Sequence, residues 1–243
     1  MKKLNIRLAI ATLLGTSLVA GGLYTLAAAN SDPLTQSGLP SEIIQEIAPL
    51  QGVRIVPLAE QNLPPTLRNV YSQNISQMNR QGYVEIKKVS NRYDKLAKDS
   101  KKLLKPLNEI KRNLAIQPAE LKDSSLNLPN AKLLGARLSG TLVDGKATGV
   151  FRLMVVPGLG VVGLNEVDYS LSFGGMSLIE EAINHEINGN PAVLTVKRIK
   201  GNNGESELIW ATNSKIYTLT SNKALVGDKS VQKFIDFANS ISQ

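Results

Sequence analysis

The chain has 243 residues, a formal net charge of +8 and a hydrophobic fraction of 42%, enough for one large or two small domains with a real core. It contains no cysteine, which excludes disulfides, thiolate metal sites, thiol nucleophiles and acylation on sulfur. Aromatic residues are only 5% of the total, too few for a base-stacking or sugar-stacking platform.

Lys2, Lys3 and Arg7 precede an uncharged, mostly apolar run from Leu8 to Ala29 that ends in Ala27-Ala28-Ala29. A positive flank, an apolar stretch and small residues in that order predict export. The run is close to the ~20 residues that span a bilayer, but Thr12, Gly15, Thr16, Ser17, Gly21, Gly22 and Thr25 dilute it. Two fates stay open for residues 1–29: a signal peptide cleaved after Ala29, or an uncleaved single-span anchor. Either one places residues 30–243 outside the cytoplasm, because positive charge is retained inside.

Residues 30–67 carry Pro33, Pro40, Pro49, Pro57, Pro64 and Pro65. Proline removes backbone donors and blocks helix continuation, so this stretch is expected to be a tether. It has room for a short helix near Ser41–Ile47, capped by Ser41, and a brief strand over Gly52–Pro57.

Residues 68–132 are expected to be a basic helical segment. Val70, Tyr71, Ile75 and Met78 predict a helix over 66–82 that stops at Gly82. Val89, Tyr93, Leu96, Ser100, Leu103, Leu107, Ile110 and Leu114 then follow a 4-3-4-3 spacing, broken only by Ser100. This spacing predicts a narrow apolar stripe that packs on the domain or on another chain. Pro106 should kink or break the helix. Between residues 68 and 112 there are twelve Lys or Arg and four acids, an excess equal to that of the whole chain. Lys87, Lys88, Arg92, Lys95, Lys98, Lys101, Lys102 and Lys105 are therefore candidates for an anionic partner: lipid headgroups, a wall polymer or an acidic protein. Nucleic acid is not expected outside the cytoplasm.

From about residue 133 the texture turns to strands and turns. Expected strands are Ala136–Val143 and Thr148–Val156 around the Asp144-Gly145 turn, then Val161–Phe173, Ala192–Ile199, Glu207–Ala211 and Ile216–Thr220. Ser177–His185 reads as a helix. A last helix begins at Asp228 and shows Val231, Phe234, Ile235, Ala238 and Ile241 on one face. The order predicts an α+β domain over 133–243, an antiparallel sheet with helices on one face.

No catalytic or metal motif stands out. Gly158-Leu159-Gly160-Val161-Val162-Gly163 matches the dinucleotide glycine spacing, but a strand follows where that fold needs a helix. His185, the only histidine, lies four residues after Glu181, and the two could share a helix face. The pairs Glu166/Asp168, Glu180/Glu181 and Glu205/Glu207 fit a solvated surface or an alternating strand. No enzyme activity and no cofactor is expected. An exported hydrolase is the rival class, and an envelope assembly subunit using the 89–114 stripe is the third.

Ile187-Asn188-Gly189-Asn190-Pro191-Ala192-Val193-Leu194, then Leu208-Ile209-Trp210, Tyr217-Thr218-Leu219 and Val231–Ile241 form a loose pattern. It resembles the small extracytoplasmic domain at the C-termini of membrane-anchored anti-sigma factors and related envelope proteins. The resemblance covers residues 187–243. It implies an antiparallel sheet carrying helices, and envelope sensing or protein–protein regulation without catalysis. Only about seven residues precede the apolar run, too few for a domain that holds a sigma factor. The expectation is thus an exported, non-enzymatic envelope protein, periplasmic or membrane-anchored, that binds a partner. Trp210 and Tyr217 are expected to be core residues on facing strands.

Overall fold

The computed structural model describes residues 22–25, 52–121, 131–172, 175–199 and 203–241. The helix expected at Ser41–Ile47 and nearly all of the export segment lie outside them. Among the described residues, no helix is long and apolar enough to cross a membrane.

The structure is α+β. Its strands are β1 (Gly22–Thr25), β2 (Gly52–Val56), β3 (Val84–Glu85), β4 (Lys132–Val143), β5 (Lys146–Val156), β6 (Gly160–Asp168), β7 (Gly175–Ile179), β8 (His185–Ile187), β9 (Asn190–Arg198), β10 (Gly204–Ala211) and β11 (Lys215–Ser221). Its helices are α1 (Pro65–Gln81), α2 (Arg92–Lys98), α3 (Ser100–Leu103), α4 (Leu107–Ile110) and α5 (Asp228–Asn239). The main sheet runs β3-β9-β10-β11-β6-β5-β4, with β8 on β9, and every pairing but β3 with β9 is antiparallel. A second sheet runs β1-β7-β2.

Alternation along the strands assigns the two faces. Met154, Leu164, Leu194, Leu208, Trp210, Tyr217 and Leu219 point to one side, where they meet Phe234, Ile235, Phe237 and Ala238 of α5. Val193, Ile209 and Ile216 point to the other side, with Tyr71 of α1 and with Met176, Leu178 and Ile179 of β7. Further along that second face, Tyr93 of α2 packs on Phe151 and Leu153. Helices therefore cover both faces. Leu58 and Leu63 are buried in the same cluster as Tyr71, so the chain joins this core from about Gly52 onward.

Several local readings change. Ser177–His185 is not a helix: β7 ends at Ile179, a 3-10 turn covers Glu180–Ala182, and β8 follows. Met176, Leu178 and Ile179 are essentially fully buried, and β7 pairs in parallel with β2. Tertiary burial on two sheets overrides the helical propensity of the Glu180-Glu181-Ala182 stretch. The third strand ends at Asp168, where Ser170 N–H donates to the Asp168 carboxylate at 3.0 Å and starts a 3-10 turn. At α5 the N-cap is Gly227, φ 89°, with Asp228 one residue inside. Asp228 there faces the positive end of the helix dipole. Helix α1 ends as its sequence predicts, on Gly82 at φ 76°.

Candidate functional site

The basic segment follows α1 and lies along the sheet. The long heptad helix is replaced by three short ones, α2, α3 and α4. The residue before a proline is pushed out of the helical region, and here Leu104 and Lys105 are extended ahead of Pro106. Lys105 forms an antiparallel bridge with Ala136 of β4, with both N–H···O bonds made, at 2.9 and 2.8 Å. This break changes which residues of the stripe are inside. Tyr93, Ile110 and Leu114 are buried, and Val89, Leu96 and Leu107 are half-buried. Leu103 is 53% exposed, and Leu104 takes the inward place at 6%. The stripe is used mainly on the chain's own sheet.

Gly163 makes room for the segment. A Cβ there would lie 2.4 Å from the ring of Tyr93 and 2.9 Å from that of Phe151. The two rings stack with centroids 6.3 Å apart, and the Arg92 guanidinium lies 4.9 Å above the Tyr93 centroid. Gly163→Ala should cost about 1–3 kcal/mol by overpacking and loosen α2. Denaturant unfolding and limited proteolysis within 87–105 would test this; an unchanged midpoint and cleavage pattern would refute the close fit.

All eight candidate cations, Lys87, Lys88, Arg92, Lys95, Lys98, Lys101, Lys102 and Lys105, are exposed. The four ion pairs among the described residues all involve buried carboxylates, and none engages these eight. Asp94, the acid nearest Lys95 in sequence, accepts a hydrogen bond from Asn222 at 2.6 Å. Seven lysines and one arginine on one short stretch, without an ion-pair partner among the described residues, raise the local positive potential, although Arg92 also donates to Tyr93 Oη at 3.4 Å and favours the charged form of Glu207.

Three acids that fit a solvated surface or an alternating strand lie on strands and are buried: Glu166, Glu205 and Glu207. Beneath Tyr71 and Tyr93, Lys197 Nζ lies 3.4 Å from Glu205 and 3.9 Å from Glu207. One buried ammonium thus serves two carboxylates. Burial drives the Glu207 carboxyl above its ordinary range; Lys197 opposes that shift and Glu205 adds to it. Burial also raises the hydroxyls of Tyr71 and Tyr93. A raised folded-state value means the protonated acid is favoured on folding, so the associated stability is present at low pH and is lost as pH rises through the folded value. Glu207→Gln should therefore flatten the decline in stability above the usual glutamate range, while Lys197 keeps Glu205. Unfolding free energies from pH 4 to 8 would show it; parallel curves for variant and parent would refute the assignment.

On the opposite face Glu166 is fully buried. It accepts from Arg152 Nη2 at 3.2 Å, Lys215 Nζ at 2.7 Å and the Ala119 amide at 3.1 and 2.9 Å. Arg152 Nη1 donates to the Ala119 carbonyl at 2.7 Å, and Lys215 Nζ to that of Gln117 at 3.0 Å. The network fastens residues 117–119 to β5, β6 and β11. Glu166 and Arg152 are enclosed by the fold, Lys215 is partly exposed, and the remaining hydrogen bonds go to backbone groups of residues 117–119.

The remaining sequence candidates gather no chemistry. Gly158 and Gly160, at φ 83° and 86°, flank the tight turn between β5 and β6, with no helix N-terminus to hold a phosphate. His185 lies in β8, and its Nδ1 is 2.9 Å from the Asn184 side-chain oxygen. Burial lowers its pKa from 6.5. Glu181 instead accepts from the Leu58 amide at 2.9 Å. No group of three metal-ligating side chains forms among the described residues. An open groove of 550 Å³ between α1 and Leu58 is lined by Ser72, Ser76, Arg80 and Glu181, without a convergent set of buried polar groups.

No known family, no curated protein and no solved structure matches this chain.

Proposed function

We propose that this chain is an exported, non-enzymatic cell-envelope protein that binds an anionic partner through its basic segment, residues 87–105. The reading is carried by the eight exposed cations at Lys87–Lys105, which have no ion-pair partner among the described residues. Export is supported by the order of charge, apolar run and small residues in 1–29. A regulatory rather than catalytic role is supported by the 187–243 pattern. The alternative of an assembly through the 89–114 stripe draws less support, because Tyr93, Ile110 and Leu114 are buried within the chain.

The test is a pull-down from intact envelopes with the full chain as bait, at low and high salt. A Lys95→Gln, Lys98→Gln, Lys101→Gln, Lys102→Gln variant runs in parallel. Recovery should fall with salt, as it does for exposed charges beyond a Debye length, and should fall in the variant. Identical recovery by parent and variant at every salt would reject the basic segment as the binding element. Cell fractionation that leaves the chain in the cytosol would reject export.

A further inference from the structure

Taking the basic-segment reading as its basis, we propose that the partner is the surface of an anionic bilayer, into which Leu103 and the edge strand β4 insert leucines. β4 pairs with β5 on one side, and among the described residues its strand pairing on the other is the single Lys105–Ala136 bridge. Along this edge Leu133, Leu138 and Leu142 are 43%, 39% and 71% exposed, and Leu103 is 53% exposed. The antiparallel bridge brackets two of them: Leu103 lies two residues before Lys105, and Leu138 two after Ala136. The other large exposed apolar residues away from this edge, Ile55, Val70 and Val226, stand singly on separate parts of the chain, whereas Leu171 lies in the Ser170–Ser172 turn that contacts β4. A group of exposed leucines on one edge marks an interaction surface.

The charges choose the occupant. Exposed Lys132, Arg137 and Lys146 alternate with the leucines of the β4–β5 hairpin, and Lys101, Lys102 and Lys105 flank Leu103. A second copy would bring these cations against one another. Edge-to-edge pairing is further blunted by register shifts at Leu133/Gly135 and Ser139/Leu142. A soluble polyanion would satisfy the cations and leave the leucines in water. An anionic bilayer satisfies both, with cations at the headgroups and leucines at the acyl boundary. The cations are mostly lysine, a hydrated point charge suited to diffuse headgroup attraction rather than to a forked ligand.

The experiment is co-sedimentation of the full chain with vesicles of phosphatidylcholine alone or mixed with phosphatidylglycerol, with soluble polyphosphate as competitor. The variants are L103S/L138S/L142S and, as a control for an exposed apolar residue elsewhere, V226S. All four sites are exposed, so the fold should persist; thermal unfolding checks it. The proposal expects binding to the anionic vesicles only. It expects a loss of about tenfold or more in the triple variant, since each buried methylene contributes to insertion, and none in V226S. Anionic binding untouched by the triple variant, and fully displaced by polyphosphate, would overturn the bilayer inference and leave the basic-segment reading standing. Failure of the parent to bind either vesicles or polyphosphate would overturn both.

Discussion

Glu166→Ala is expected to lower the unfolding free energy by about 3–5 kcal/mol, the cost of leaving buried cations without their counter-charge. Arg152 is 3% exposed and would keep its charge with only the Ala119 carbonyl beside it. The Ala119 amide, which now donates to both carboxylate oxygens, would lose its acceptor. The loss should also be local, because residues 117–119 are held to the sheet through this carboxylate and its two cations. Protease cleavage between 115 and 121 should rise more than the global change explains. An Arg152→Met, Glu166→Leu double variant removes charge from both sides and should lose much less, because a buried pair replaced by packed apolar groups is often near neutral. Lys215, partly exposed, can turn its ammonium to solvent. Denaturant unfolding of the two variants checks this. An alanine variant within about 1 kcal/mol of the parent would show that the network contributes little net stability.

The second large effect is expected at Trp210. Its side chain is fully buried and stacks on Tyr217 across the β10–β11 register, with centroids 5.0 Å apart and planes 7° from parallel. The same cluster holds Phe234 and Phe237 of α5, so a cavity at Trp210 opens directly under the C-terminal helix. Trp210→Ala should cost about 3–5 kcal/mol. The indole Nε1 makes no hydrogen bond in this enclosure, so Trp210→Phe loses volume and no polar partner. It should cost clearly less than alanine. Far-UV circular dichroism through a denaturant titration reads both, since Trp210 is the chain's only tryptophan and its fluorescence disappears with it. Equal losses in the phenylalanine and alanine variants would mean that the indole N–H matters more than its volume.

Much of the fold was legible because it is local. The alternation in Ala136–Val156 and the Asp144-Gly145 turn predict the β4–β5 hairpin, and Asp144 and Gly145 indeed adopt φ 50° and 74°. The amphipathic spacing of Val231–Ile241 predicts α5, and its apolar face lies on the sheet. Gly82 ends α1 through an intrinsic property of glycine. Where reading failed, two patterns were close in local preference and distant contacts decided. Residues 177–185 contain good helix formers, yet pairing of β7 with β2, more than a hundred residues earlier, holds residues 177–179 in a strand and leaves only a 3-10 turn after it. The heptad spacing was real, but a periodic pattern does not say whether the helix survives. Pro106 and the Lys105–Ala136 bridge divide it and turn Leu103 outward.

The candidate site divides in the same way. Sequence alone determined the order of positive flank, apolar run and small residues in 1–29, the concentration of positive charge in 87–105 and the absence of cysteine chemistry, because charge and residue type need no partner to be read. It also placed Trp210 and Tyr217 in the core on facing strands, and the structure pairs them directly across β10 and β11. Only the tertiary structure decided which charges face water. Glu166, Glu205 and Glu207 alternate along strands as surface residues do, and they are buried because both faces of the sheet are covered, by α5 and residues 117–119 on one side and by α1 and α2 on the other. The lysines of α2 and α3 stay exposed because Tyr93, Leu96 and Leu104 are the residues of this stretch turned to the sheet. An alternating strand has two faces, and nothing within it specifies what lies over either one.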